Sequence, residues 1–296
     1  MAIDLEQPPV DDGLEIRDSN PWALDKLAIV ECYVSAFSSA CSKKAPSWQV
    51  VDAFAGPGVN RVKTTGELVW GTPMLCLAAK PEIPQLLAMD LGETEVASLR
   101  ERTAEFAPRI AVERGDVNSD LLIRMRDHLS PRAPTLCILD PEGTELDFAT
   151  IERLAEFRQG RTKAELLVLL ATHTGFLRTL TREGDGFPWA PERMDRLYGT
   201  HRWRDIWEQR KAGKTSEWAT EQYVKLYAEQ LRQLGYTHVL DRQIRERGRE
   251  GRLGYYLLFA SEHNAGQRIM EHCFDTRYSD DQLSLFTVPR VSHLKP

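Results

Sequence analysis

The sequence predicts an α/β fold with a doubly wound, mostly parallel sheet, and three observations carry that prediction. Short runs rich in Val, Ile and Leu recur at WQVVDAF (48–54), QLLAMD (85–90), RIAVERGD (109–116), TLCILD (135–140) and ELLVLLA (165–171). Amphipathic stretches around 73–80, 93–105, 119–129 and 147–158 separate them, the alternation of a parallel sheet covered on both faces. Later, THVLDRQIRE and YYLLFAS flank the turn RGREGRLG, which appends an antiparallel strand near the C-terminus.

Taken in order, the first twenty residues are acidic, contain Pro8 and Pro9 and show no periodicity. They read as a loose arm, 1–20, ahead of a single domain spanning 21–296. From Pro21 to Phe37, Trp22, Leu24, Leu27, Ile29, Val30, Tyr33, Val34 and Phe37 recur at helical spacing, so a helix precedes the first strand. The alternation breaks from about Thr172 to Lys214, a stretch rich in Arg, Trp and Gly that reads as a helical insertion or lid (about 175–214). Helices follow around 216–234 and 264–275, and no internal repeat is visible.

A chain of 296 residues can bury one sizeable core. With 42% hydrophobic and 28% charged residues it has the composition of a globular protein. No apolar run reaches the roughly 18–20 residues of a membrane span, and the first residues lack a signal-like core, so a cytoplasmic chain is expected. The net charge of -6 argues against a surface coated with phosphate-neutralising groups, while leaving room for a local basic groove. Cys32, Cys41, Cys76, Cys137 and Cys273 are widely spaced with no CxxC pair. They predict no metal centre and read as buried, reduced thiols.

Chemistry is expected beyond the carboxyl ends of the strands, where such sheets bind ligands. Asp52, Asp90, Asp116 and Asp140 each end a strand, and all four would project onto one edge. An acid at any one of these positions is also a common cap or turn residue. The loop Ala55-Gly56-Pro57-Gly58 lacks a full GxGxxG, and NRVKTTGELVWG intervenes before a helix that begins at Thr72-Pro73. A pyrophosphate needs a helix N-terminus against the glycines. A nucleoside needs only close backbone approach and an acid for its ribose. The pattern therefore favours a nucleoside ligand over a nicotinamide dinucleotide.

The order VDAFAGPG, LLAMD, GDVNSD, CILDPEG resembles class I S-adenosylmethionine-dependent methyltransferases. More narrowly, PWALDKL, VVDAFAGPG, GTPMLCL, ILDPEG and GYYLLFASEHNAG are similar to the three-Cys-motif partner family, over about residues 20–275. The resemblance implies a Rossmann-like methyltransferase core with S-adenosylmethionine as cofactor. Gly56 and Gly58, with Asp52 and Phe54 beside them, would support its methionine part. Asp90 would take the ribose hydroxyls, and Asp116 with Val117 would contact adenine. The family name also implies a partner protein with a radical-SAM-type three-cysteine motif. In Asp140-Pro141-Glu142-Gly143, enzymes that methylate base amines often carry a second proline and an aromatic, which this chain lacks. Asp140 is then the candidate catalytic residue, orienting an N–H or hydroxyl nucleophile, with Glu142 and His173 lining the substrate. Basic and aromatic residues interleave across 188–214, and Arg202 and Trp203 there would contact a nucleic acid. The competing reading is a cofactor-binding partner with little catalysis of its own.

Overall fold

Val50, Val51, Leu87 and Leu139 are wholly buried, as strands covered on both faces require. The computed structural model describes residues 3–159, 162–171, 190–245 and 253–275, with the backbone alone at Leu253 and Gly254. Its strands are β1 (Arg17–Ser19), β2 (Gln49–Asp52), β3 (Val59–Val62), β4 (Leu68–Trp70), β5 (Gln85–Asp90), β6 (Ile110–Arg114), β7 (Thr135–Leu139), β8 (Glu165–Leu170), β9 (His238–Arg245) and β10 (Leu253–Ser261).

The main sheet has the order β6-β5-β2-β7-β8-β10-β9. Strands β2 and β5 to β8 run parallel, while β10 is antiparallel to both its neighbours. This order, with an antiparallel strand between the fifth and the last, is the class I methyltransferase arrangement that the motifs implied. The order reverses at β2, which opens a crevice at the carboxyl ends of β2 and β7.

One face is covered by α1 (Ala23–Ser42), α2 (Thr72–Ala78), Leu99 of α3 (Glu93–Thr103) and α9 (Asn264–Asp275). The other is covered by α4 (Leu121–His128), α5 (Phe148–Ala155), α6 (Ala190–Tyr198), α7 (Trp203–Lys211) and α8 (Ser216–Gln233). Among the described residues no helix is long and apolar enough to cross a membrane, and no cluster of side chains is suited to a metal ion.

Three expectations need correction. The arm is not loose. Its β1 pairs in parallel with β3, and β3 forms an antiparallel hairpin with β4 where only a long loop was expected. The side chain of Arg102, 1% exposed, donates to both oxygens of Asp12 and to the carbonyls of Glu15 and Pro57, fastening the arm to the glycine loop. The cysteines are not all reduced either: Cys32 of α1 and Cys273 of α9 form a disulfide, while Cys41, Cys76 and Cys137 are free. Finally, the described part of the insertion packs down as core. Tyr198 meets the rings of Tyr223 and Tyr227, and Tyr227 meets Phe148 of α5 edge-on. Residues 175–189 lie outside the described residues.

Candidate functional site

At the switch point lies a cleft of about 350 Å³, with Arg17, Lys26, Phe54, Gly56, Asp140 and Glu142 among its walls. Its floor follows from the chain's local rules. Strand β2 stops at Asp52, and the turn behind it needs left-handed backbone at Gly56 (φ 60°) and Gly58 (φ 87°). At Gly58 a Cβ would lie 2.9 Å from Leu99 Cδ1, so only glycine lets the loop close onto α3. The Gly58 carbonyl accepts from the amide of Gly71, the N-cap of α2. The helix thus starts one residue beyond a Gly cap, and Thr72 does not cap it.

Asp90 ends β5 and organises the loop. Its Oδ2 accepts from the Gly56 amide at 2.7 Å and its Oδ1 from the Gly92 amide at 3.0 Å. Arg17 reaches the same Oδ2 at 3.3 Å, with its guanidinium packed over Gly56 and 4.0 Å from Glu142. The face of Asp90 toward the cleft is therefore held by a cation from β1.

Asp52 is fully buried. One oxygen accepts weakly from the Phe54 amide at 3.4 Å, and the other has no partner among the described residues. Burial, reinforced by the neighbouring charge of Asp140, pushes its carboxyl up to about 7, against the opposing pull of Lys26. Asp140, just past β7, forms an ion pair with Lys26, and both side chains are largely shielded from water. Tyr255 closes the wall, its hydroxyl donating to the Trp22 carbonyl at 3.1 Å, and burial holds its phenol well above the usual range.

Of the residues singled out from sequence, Phe54, Gly56, Asp140 and Glu142 line this cleft, while Asp52 and Asp90 lie buried behind its wall, Asp90 bonded to the Gly56 amide and Asp52 beside the charge of Asp140. Asp116 and Val117 do not line it. Asp116 is exposed and its Oδ1 accepts from the Asn118 and Ser119 amides at 2.7 and 3.2 Å, while Val117 is buried. Trp203 cannot stack on a base: it is 2% exposed and its indole donates to Asp195 at 2.8 Å. Arg202 pairs with Glu229 at 3.0 Å, and none of residues 190–214 lines the cleft. His173 lies outside the described residues.

Sequence reasoning missed Arg17 and Lys26. Lys26 carried a signal, since it stands one turn before Ile29 and Val30 on the face of α1 that is buried. A cation at such a position needs a partner. Arg17 carried none, because a three-residue strand has no measurable period.

No protein-family model matches this chain, and no curated protein does. Its fold is similar to solved structures. The Legionella pneumophila protein LPL1258 superposes with a TM-score of 0.51 at 10% identity, over 88% of this chain and 92% of that one. The N-terminal domain of human METTL16 in complex with SAH gives 0.44 at 13% identity, over 86% and 78%. The methyltransferase domain of bacterial CtHen1-C gives 0.41 at 14%, over 80% and 98%. At these identities the likeness is one of fold.

Proposed function

We propose that this chain is an S-adenosylmethionine-dependent methyltransferase. The observation that carries the reading is Asp90, fixed by the Gly56 and Gly92 amides at the switch point and separated from the cleft by Arg17, which pairs with its Oδ2. A carboxylate so held can accept from two ribose hydroxyls once Arg17 turns aside. The residues fit the cofactor in a second respect: Gly56 and Gly58 keep side chains off the loop where the methionine part would lie, and Phe54 and Asp52 stand beside it. The adenine would extend toward Asp116 and Val117. When bound, S-adenosylmethionine supplies an electrophilic methyl on a sulfonium, open to in-line attack. Asp140 would accept the N–H or O–H of the nucleophile, and Lys26 would fix the carboxylate's orientation. Glu142 would meet the substrate at the rim.

A nucleic acid is the substrate class we propose, held at the cleft mouth rather than by Arg202 and Trp203. Arg17 and Lys63 offer cations there, and Trp22 and Phe54 offer rings. A second reading is a cofactor-binding protein that works with a partner of the three-cysteine type. It is favoured by one observation: the two acids that chemistry would use, Asp90 and Asp140, both carry cations from the N-terminal elements.

Calorimetric titration with S-adenosylmethionine and S-adenosylhomocysteine, followed by methyl transfer to mixed RNA and DNA, tests both. Asp140→Ala should keep cofactor binding and lower transfer by about a hundredfold or more. Asp90→Ala should lose cofactor binding. A wild-type chain that binds neither cofactor overturns the first reading. One that binds but transfers nothing favours the second.

A further inference from the structure

The opposite edge of the sheet holds a second cavity, of about 480 Å³, larger than the switch-point cleft and sharing none of its residues. It is bounded by the segments that enter β2, β7 and β8, by the last turns of α1 and by the first turn of α9. All three strands run parallel, so these are their amino ends. The strands between are four to six residues long, which separates the two sites by roughly 13–20 Å.

The walls are mostly apolar, with Phe37 and Ala40 of α1, Ala45 and Pro46 of the following loop, Ala133 before β7 and Ile269 of α9. The floor holds one buried acid, Glu165. Its two oxygens accept from the hydroxyls of Tyr33 and Ser261, each at 2.7 Å, and a Cβ on Gly266 would lie 2.5 Å from Oε1. The fold therefore gives each oxygen of that carboxyl a partner of its own.

The mouth is different. Lys44 and Arg132 are exposed there, and neither pairs with an acid among the described residues. Arg158 lies nearby, donating to Thr162 Oγ1 at 3.0 Å and to the Arg132 carbonyl at 3.5 Å. Lys163 is neutralised by Glu262 at 3.4 Å. In a chain whose net charge is -6, an apolar cavity with Lys44 and Arg132 at its rim, neither paired with an acid among the described residues, runs against the average surface. Apolar walls with a few convergent charges at one end are the pattern of a small-molecule site.

The geometry points to a second binding site at the amino edge of the sheet, for a small amphipathic anion. An alkyl or aryl carboxylate or sulfonate would lay its apolar body against Phe37, Ala133 and Ile269, and place its head between Lys44 and Arg132. This site is independent of the methyltransferase reading, because it uses none of the same residues.

Fluorescence titration of the full chain with anilinonaphthalene sulfonate, an aryl sulfonate, tests it, with decanoate and decyltrimethylammonium as competitors. The dye should bind saturably, and decanoate should displace it while the cationic amphiphile of equal chain length does not. Charge reversal at the two exposed positions, Lys44→Glu with Arg132→Glu, should weaken decanoate by about tenfold or more. Ala40→Phe, which fills the cavity, should weaken the dye and decanoate alike. Circular dichroism should match the wild type in both variants. Dye binding unchanged in both variants, or displacement by decyltrimethylammonium as effective as by decanoate, would overturn the proposal.

Discussion

Asp52 sits at the centre of three acids, and its protonation couples the site to the stability of the fold. Burial pushes its carboxyl up to about 7 from an ordinary 3.8. A group raised in this way contributes stability that is complete below the unfolded value and is lost as pH climbs through the folded one. The window therefore runs from about 4 to about 7. Asp52→Asn removes the charge and keeps the shape. Across that window the variant should gain on the wild type, by a few kcal/mol at most, and the gap should level off above it. Urea denaturation at a series of pH values measures this. A gap that moves the other way would mean that Asp52 is ionised and stably paired. Asp52, Asp90 and Asp140 were legible in the sequence because each is an acid closing an apolar run. Their cations were not, since Arg17 and Lys26 reach them from segments 73 and 114 residues away.

At the scale of elements, the N-terminal segment shows how a stretch with no periodicity becomes structured. Strand β1 contributes three residues, too few for propensity to be read, and gains its place by pairing with β3. The anchor is Arg102 on α3, a cation nearly closed off from water and satisfied by Asp12 and two carbonyls. Its hydrogen bonds hold the Asp12 carboxyl below the usual range, so this attachment is present above the unfolded value and is lost as pH falls. Arg102→Ala should release the arm and cost about 2–4 kcal/mol. Limited proteolysis would then cut within residues 3–20 much faster than in the wild type, with the sheet intact. Equal cleavage rates would show that β1 pairing alone holds the segment. Because the same arm carries Arg17 to Asp90, its release should also uncover that acid.

At the scale of the whole molecule, the first and last described helices are joined. The disulfide between Cys32 and Cys273 closes a sequence separation of 241 residues, tying α1 to α9. Such closures typically contribute about 2–4 kcal/mol. Of the five cysteines, three are free, so denatured protein without reductant should show three titratable thiols, and five after reduction. Five in both states would remove the bridge. Helix α1 and strand β8 each reach both cavities: Lys26 and Leu169 line the switch-point cleft, and Phe37, Ala40 and Glu165 line the amino-edge cavity.

What the sequence determined by itself was whatever local chemistry specifies: apolar runs at strand spacing, amphipathic helices between them, glycines where φ must be positive, and acids where strands stop. From these the doubly wound sheet and its reactive edge could be read. Tertiary structure alone decided which charges meet. It also decided that the arm folds back onto the glycine loop, that Trp203 belongs to the core of its lobe, and that the segment after the glycine loop is the β3–β4 hairpin. Each of these depends on contacts between segments far apart in the chain, and such contacts leave no period and no spacing in the residues that make them.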